Sequence, residues 1–357
     1  MRGENNTKRG MVRGYLFEAA LRVLLERSGF KMVRPEADNV GRVRLTRANF
    51  LEIKGRGAWH QIDCPFDYGG FIPFLYPVRL IGEAKFLQTE VQKSAVRSFI
   101  GVMRDIQENY FVDDSLSDPM LRGRRLELGV FFAANGFTQE AERLAYAHGI
   151  RTVSYRNNRA LAGIKALILL LEERYIKASV FSDNGWREFL PAFEEMLRGS
   201  FEIVHFAERF LGMEAAGDLE RLVTALWALK TSFLASTDSG VLLHFLSEET
   251  FPEELFSERD TAVCRAHYVR EEMESQFYLE FAGDGKKRRF YFTPPESLQG
   301  AALYGNEAAD GETDGETGAK VLHTQVMIKG LRRSLDIRMD QDWLEAQKEL
   351  NMSLDTV

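Results

Sequence analysis

Residues 81 to 86 read Ile81-Gly82-Glu83-Ala84-Lys85-Phe86, which places a carboxylate and an ammonium in a segment of otherwise apolar or small residues. Alternate side chains of a strand share a face, so Glu83 and Lys85 are expected side by side, while Gly82 and Ala84 face the other way. Two charges on a half-buried strand are costly unless they pair with each other or bind a metal. The segment therefore predicts either a structural ion pair or a chemically active site.

A second polar pair lies upstream, in the segment Trp59-His60-Gln61-Ile62-Asp63. On an extended strand Gln61 and Asp63 share one face, and Ile62 points to the core. Strands are predicted over residues 59–64 and 78–86, joined through the turn-rich residues 65–70. If these two strands form a hairpin, Asp63 meets Glu83.

Helices and strands alternate around these two segments. Apolar residues at three- and four-residue steps predict helices, and a nearly continuous apolar run predicts a strand covered on both faces. The predicted elements are a helix over residues 14–30 with Glu18 in its first turns, a helix over 90–110, a strand over 126–134, a helix over 139–148 capped by Thr138, a strand over 150–155 and a helix over 159–177. The strand, helix and strand in succession indicate parallel strands joined by a right-handed crossover.

This order of a helix glutamate, a strand aspartate, a strand Glu-x-Lys and then helix, strand, helix and strand resembles the PD-(D/E)xK nuclease superfamily and, within it, restriction endonucleases of the Mrr type. The matching segments are Gly14-Tyr15-Leu16-Phe17-Glu18, Gln61-Ile62-Asp63, Glu83-Ala84-Lys85, residues 96–101, and residues 132–138 with Ala141 and Ala145. The resemblance covers residues 11–157, and Ile62 stands where the family name has proline. It implies an α/β fold with a restriction-endonuclease-like mixed sheet flanked by helices.

The candidate catalytic residues are Asp63, Glu83, Lys85, Glu18 and Gln61. We assign Asp63 and Glu83 as metal ligands because hard oxygen ligands select Mg²⁺, with Mn²⁺ as the alternative. The resemblance implies the Ala84 backbone carbonyl as a third ligand and Glu18 as an outer ligand, through water or to a second metal. Lys85 is expected to orient the attacking water and stabilise the developing charge. The alternative for Glu18 is an ordinary solvated glutamate on a helix. The alternative for Gln61 is a side chain that only forms hydrogen bonds with the backbone.

Positive charge is concentrated in the first half of the chain, which suggests a nucleic-acid partner. Residues 1–180 contain 28 Lys+Arg against 20 Asp+Glu, whereas residues 181–357 contain 18 against 33, for an overall net charge of −7. Phosphate contacts need clustered lysine and arginine. The candidates are Lys93 and Arg97, four apart on one helical face, and the basic stretch with Arg42, Arg44, Lys54 and Arg56. Ordinary solvated surface is the alternative for each of them.

The change of charge and pattern near residue 180 predicts two domains. Residues 1–178 form the nuclease-like domain, and residues 179–357 form an acidic α+β domain for recognition, regulation or oligomerisation. In the second domain, Gly283-Asp284-Gly285 between two alternating segments predicts a hairpin, and the acidic residues 306–318 predict a loop. Cys64 and Cys264 have no CxxC partner, which excludes a disulfide framework and a cysteine-based zinc site.

The expected function is a metal-dependent endonuclease that hydrolyses phosphodiester bonds in DNA, of the restriction or phage-defence type. The alternative is a non-catalytic nucleic-acid-binding protein, or a sensor or assembly protein, on a nuclease-like scaffold. Duplex DNA is the expected partner, and a homodimer or larger oligomer is the expected assembly. The longest apolar stretch, residues 166–171, is too short to span a bilayer, and no apolar segment follows the basic N-terminus. A cytoplasmic location without membrane contact is therefore expected.

Overall fold

The structure is a computed structural model that describes residues 2–38, 41–47, 49–69, 76–109, 125–156, 158–176, 183–236, 242–251, 261–270, 275–281, 289–291, 321–328 and 331–339. The chain divides into two compact units. Unit 1 spans residues 1–26, 30–156 and 161–228, and unit 2 spans residues 27–29, 157–160 and 229–357. Within the described ranges, no helix is both long and apolar enough to cross a membrane.

Both helices and strands occur along the first two thirds of the chain, and they alternate from β6 to α4. The described helices are α1 (Arg2–Arg27), α2 (Lys93–Glu108), α3 (Gln139–Ala147), α4 (Arg159–Arg174), α5 (Asp183–Leu197), α6 (Ile203–Phe206) and α7 (Ala216–Ala228). The strands over the same part are β1 (Phe30–Met32), β2 (Val43–Leu45), β3 (Leu51–Lys54), β4 (Trp59–Gln61), β5 (Cys64–Tyr68), β6 (Val78–Lys85), β7 (Leu126–Ala133) and β8 (Arg151–Ser154).

A mixed five-stranded sheet is the centre of unit 1, with the strand order β1-β5-β6-β7-β8. β1, β5 and β6 are antiparallel neighbours, whereas β6, β7 and β8 run parallel. The predicted strand–helix–strand unit is confirmed as β7-α3-β8, and Thr138 caps α3 by accepting a hydrogen bond from the Ala141 amide at 3.3 Å. These helices and strands confirm the α/β class.

Helix α1 packs its apolar stripe onto this sheet. Leu16, Phe17 and Leu24 are at most 1% exposed. The Phe17 ring lies 5.4 Å from the Phe86 ring, just after β6, and 6.1 Å from the Tyr155 ring, just after β8. The amphipathic pattern therefore predicted the correct face, although the helix spans Arg2–Arg27 rather than residues 14–30.

The predicted strand over residues 59–64 is wrong, because the chain there belongs to two sheets. β4 pairs with β3 in a separate three-stranded sheet of order β2-β3-β4. The Ile62 amide extends this pairing by donating to the Leu51 carbonyl at 3.0 Å. β5 then starts at Cys64 and runs through the residues that were predicted as a turn. The basic stretch that contains Arg42, Arg44 and Lys54 includes β2 and β3.

The boundary of unit 1 lies at residues 228/229, beyond the expected division at 178/179. Helix α5 belongs to unit 1 because it is tied to α1 by ion pairs. Arg22 on α1 pairs with Glu194, and Arg198, just after α5, pairs with Glu26 through Nε and Oε2 at 2.9 Å. These contacts join residues 172 positions apart in the chain, which no local pattern reveals.

Unit 2 is built on a seven-stranded sheet. Its strands are β9 (Thr231–Ser236), β10 (Leu242–Ser247), β11 (Thr261–Arg270), β12 (Ser275–Phe281), β13 (Arg289–Tyr291), β14 (Val321–Ile328) and β15 (Leu331–Met339). Their order is β10-β9-β14-β15-β11-β12-β13, with β11 and β15 parallel. The predicted hairpin is confirmed by the antiparallel pairing of Tyr278 with Tyr291. Its Gly283-Asp284-Gly285 turn and the acidic residues 306–318 lie outside the described residues.

Candidate active site

The pairing of β5 with β6 brings Asp63 to the centre of the sheet. Cys64, the first residue of β5, pairs with Gly82, so the same register places Asp63, just before β5, opposite Glu83. The Ala84 amide donates a hydrogen bond to Asp63 Oδ2 at 3.0 Å. The amide and the carbonyl of one strand residue point to the same edge, so the Ala84 carbonyl also points to the side of Asp63. The backbone thus places one carboxylate and one carbonyl oxygen next to each other.

Lys85 lies between two carboxylates. Its Nζ is 3.7 Å from Asp63 Oδ2 and forms an ion pair with Glu83 Oε1. The Asp63 side chain is 9% exposed, whereas those of Glu83 and Lys85 are 23% and 34% exposed. The three side chains therefore meet as the sequence predicts, with Asp63 innermost and the Glu83–Lys85 pair nearer to solvent.

The local electrostatics keep Lys85 charged. Burial favours a lower pKa for Lys85, but the charges of Asp63 and Glu83 outweigh it and raise the pKa above its ordinary value. The pKa of Glu83 is also raised, by burial first and then by the charge of Asp63, with Lys85 opposing. Lys85 is therefore a hydrogen-bond donor and a positive charge in this site, not a base.

Glu18 adds a third carboxylate from helix α1. It is 6% exposed, and its Oε2 lies 3.8 Å from Arg22 Nη2. Burial and then the charge of Asp63 raise the pKa of Glu18 well above its ordinary value, although Arg22 opposes this. The charges of Asp63, Lys85 and Glu83 all act on Glu18, so the Glu18 carboxyl group belongs to the same electrostatic group.

Arg22 fixes the backbone at Asp63, a role that the segments resembling nucleases do not indicate. Its Nε donates a hydrogen bond to the Asp63 carbonyl oxygen at 2.6 Å. Arg22 lies one helical turn after Glu18, and the two side chains share a face of α1. The spacing of four residues from Glu18 is the only sequence feature that indicates a role for Arg22, because its contact with Asp63 is long-range.

Gln61 lies near the site but in a different element from the one expected. It ends β4, is exposed, and does not share a strand with Asp63, which lies in the bend before β5. Its side chain forms a hydrogen bond with Tyr15, whose pKa is raised by burial and then by the charges of Glu18 and Asp63. Tyr15 is a site residue that sequence reasoning missed, although its position three residues before Glu18 places both on one face of α1.

The oxygen donors fit a hard cation at an open site. In the described part of the chain, no group of three or more His, Cys, Asp or Glu side chains forms a metal cluster. Mg²⁺ is usually held by one or two carboxylates, with water molecules completing its octahedron. Asp63, Glu83 and the Ala84 carbonyl supply oxygens of this kind, and Glu18 adds a buried carboxyl group from α1. This donor set suits Mg²⁺ or Mn²⁺ and does not provide a closed cage of side chains.

Three of the predicted phosphate-binding residues are paired with carboxylates. Lys93 pairs with Glu140 at 2.6 Å, Arg44 with Glu52 at 2.7 Å and Arg56 with Glu108 at 3.3 Å. All three cations are about half exposed, and Arg44 also stacks over the Trp59 ring at 4.1 Å. Of the other candidates, Arg97 is exposed on α2, and Arg42 and Lys54 are half-buried next to β2 and in β3. The basic stretch is thus part of the three-stranded sheet β2-β3-β4 and the turn that follows β3.

Comparisons with known proteins give one structural similarity. No family model matches the sequence, and no curated protein matches it. Among solved structures, the chain is similar to the crystal structure of a protein of unknown function, AF1548. The two share 16% sequence identity, the match covers 59% of this chain and 95% of that chain, and the TM-score is 0.35.

Proposed function

We propose that this chain is a metal-dependent endonuclease that hydrolyses phosphodiester bonds in DNA, of the restriction or phage-defence type, and that unit 1 is restriction-endonuclease-like. The observation that carries this proposal is the meeting of Asp63, Glu83 and Lys85, with Lys85 Nζ 3.7 Å from Asp63 Oδ2. Partly buried charges such as these cost free energy of folding, and clusters of them are typical of functional sites.

The side chains have separate roles in the proposed reaction. Asp63, Glu83 and the Ala84 carbonyl would hold Mg²⁺ or Mn²⁺, with Glu18 as an outer ligand. A bound divalent cation neutralises developing charge and lowers the pKa of water. Lys85, charged and partly exposed, donates hydrogen bonds to the phosphate or to the attacking water. Gln61, exposed at the end of β4, is the candidate for a phosphate contact.

Double-stranded DNA is the proposed substrate. The Lys93–Glu140 and Arg56–Glu108 ion pairs are exposed and therefore weak, so DNA phosphates can replace the carboxylates. Binding is then expected to weaken steeply with salt. A homodimer or larger oligomer stays a prediction, which light scattering can test.

Cleavage of supercoiled plasmid tests the proposal. We expect nicked or linear DNA with Mg²⁺ or Mn²⁺, and a rate at least about 100-fold lower for Lys85→Ala, because a charged donor is lost from the site. Lys31→Ala, which changes an exposed lysine on the edge strand β1, is the matched control. Cleavage that is unchanged by Lys85→Ala would contradict the proposal. So would intact plasmid together with a protein that binds no Mn²⁺.

The ion pair of Lys85 with Glu83 favours one second candidate, a non-catalytic nucleic-acid-binding protein, because the pair satisfies both charges without a metal. This candidate predicts DNA binding that depends on salt but not on divalent cations. Equal DNA affinity in EDTA and in Mn²⁺, without cleavage, would favour it.

A further inference from the structure

Arg22 contacts two candidate metal ligands at once. Its Nε donates to the Asp63 carbonyl at 2.6 Å, and its Nη2 lies 3.8 Å from Glu18 Oε2. The first contact holds the bend from which the Asp63 carboxylate reaches the Ala84 amide. The second is too long for a hydrogen bond. The guanidinium therefore supports Asp63 by a hydrogen bond and makes only a long ion pair with Glu18.

Glu194 on α5 determines where this guanidinium lies. Its Oε1 forms an ion pair with Arg22 Nη1, and its Oε2 accepts from Arg198 Nη1 at 3.0 Å. Arg198 is held in turn by a two-point pair with Glu26, at 2.9 Å and 3.1 Å. The side chains of Arg22 and Glu194 are 15% and 13% exposed. A planar guanidinium held through separate nitrogens has little freedom to turn.

A free Arg22 would compete with a metal for Glu18. Without Glu194, Arg22 would be free to close its 3.8 Å ion pair with the buried Glu18, one helical turn away, into a hydrogen bond. A hydrogen-bonded Arg22–Glu18 pair would occupy a candidate ligand and draw Nε away from the Asp63 carbonyl. Residues that support metal ligands in this way typically change metal affinity or activity 10- to 100-fold when they are substituted.

We infer that Glu194, supported by Arg198, is a positioning residue of the active site: it holds Arg22 so that Asp63 and Glu18 remain available to a divalent cation. This inference rests on the proposed function. It assigns a catalytic task to α5, which lies outside the segments that resemble nucleases. The cation-binding site then depends on the helical part of unit 1 as well as on the β5–β6 pair.

Mn²⁺ titration of the full chain, followed by electron paramagnetic resonance, tests the inference. We expect Glu194→Gln to weaken Mn²⁺ binding about 10- to 100-fold and to lower kcat, with an unchanged KM for DNA. Glu194→Asp should recover part of the affinity, because it keeps the negative charge. The matched control is Glu195→Gln, which changes an exposed neighbour on α5 and should bind Mn²⁺ as the wild type does. Thermal melting in EDTA verifies that each variant is folded.

The outcomes separate this inference from the proposed function. Folded Glu194→Gln that binds Mn²⁺ like the wild type, while Asp63→Asn does not bind, would overturn the inference alone. Wild type that binds no Mn²⁺ would overturn both. If Glu194→Gln does not fold, Arg22→Lys replaces it, because a lysine cannot contact Glu194 and the Asp63 carbonyl in the same fork geometry. Arg22→Lys with wild-type Mn²⁺ affinity would equally overturn the inference.

Discussion

Gly82 and Cys64 approach so closely that no other residue fits at position 82 without movement. A Cβ on Gly82 would lie 2.6 Å from the Cys64 Cβ and 2.7 Å from the Cys64 carbonyl oxygen. Asp63 directly precedes Cys64, and Glu83 directly follows Gly82. The absence of a side chain at Gly82 is therefore what allows Asp63, just before β5, to come close to Glu83 in β6.

Gly82→Ala is predicted to disturb both stability and metal binding. The backbone of β5 must move to admit the methyl group, which costs about 1 to 3 kcal/mol and shifts Asp63 away from Ala84. Urea denaturation and Mn²⁺ titration measure the two effects. Gly101→Ala is the control, since it lies in α2 with no atom within 4 Å of the new Cβ, and it should stabilise the chain by up to about 1 kcal/mol. A Gly82→Ala protein with wild-type Mn²⁺ affinity would contradict this account of the site.

Glu18→Gln is predicted to raise stability and to lower Mn²⁺ affinity. The variant removes a buried negative charge next to Asp63, so in EDTA the free energy of unfolding should increase by about 0.5 to 2 kcal/mol. The metal loses an outer ligand and a favourable charge. Glu173→Gln, an exposed change on α4, should alter neither quantity. Lower stability of Glu18→Gln in EDTA, with unchanged Mn²⁺ binding, would show that Glu18 is a structural residue.

Asp105 is predicted to order the turn between β3 and β4. Its Oδ1 accepts from the Gly57 amide at 2.8 Å, and its Oδ2 accepts from the Ala58 amide at 3.1 Å. Asp105→Ala should cost about 1 kcal/mol and speed hydrogen exchange at both amides. Glu108→Ala, which breaks only the exposed pair with Arg56, should leave exchange at these amides unchanged. Unchanged exchange in Asp105→Ala would contradict the prediction.

His244 is predicted to make unit 2 sensitive to acid. It is 1% exposed, and its Nε2 lies 2.8 Å from Ser232 Oγ. Burial lowers the pKa of His244 from 6.5 to about 3, so between these values the unfolded chain binds a proton that the folded chain does not. The free energy of unfolding is therefore independent of His244 protonation above pH 6.5. Below that pH it falls by about 1.4 kcal/mol per pH unit.

Urea denaturation at pH 7.5 and 5.5 checks this prediction. The loss of unfolding free energy should be about 1 kcal/mol smaller in His244→Gln than in the wild type. His205→Gln, an exposed change in α6, is the control and should behave as the wild type does. Equal losses in His244→Gln and the wild type would mean that His244 is not held neutral in the fold.

Local patterns predicted much of the fold. The apolar run of β7, the capped helix α3 and strand β8 follow from periodicity and from Thr138 as a helix cap. The meeting of Asp63 with Glu83 and Lys85 followed from the predicted antiparallel pairing of the two segments, and the shared face of Glu83 and Lys85 followed from alternation along β6. These helices, strands and side-chain contacts depend on residues close in sequence or on one strand pairing, and local residue patterns indicate both.

Other features depend on long-range contacts that a pattern does not contain. Gln61 and Asp63 belong to different elements because the Ile62 amide bonds to Leu51 in one sheet, whereas Cys64 pairs with Gly82 in another. A buried Ile62 is consistent with either one continuous strand or two separate strands, so the sequence pattern does not reveal this division. The pairing of Arg22 with Glu194 joins residues 172 apart. The position of α5 in unit 1 was therefore not predictable from composition or charge.

Mn²⁺ binding by four proteins tests the central claim most directly. Electron paramagnetic resonance should show bound Mn²⁺ in the wild type and in the Glu173→Gln control. It should show strongly weakened binding in Asp63→Asn and in Glu83→Gln, with all four proteins folded. Equal Mn²⁺ affinity in all four, or no binding by the wild type, would contradict the claim that Asp63 and Glu83 hold a divalent cation.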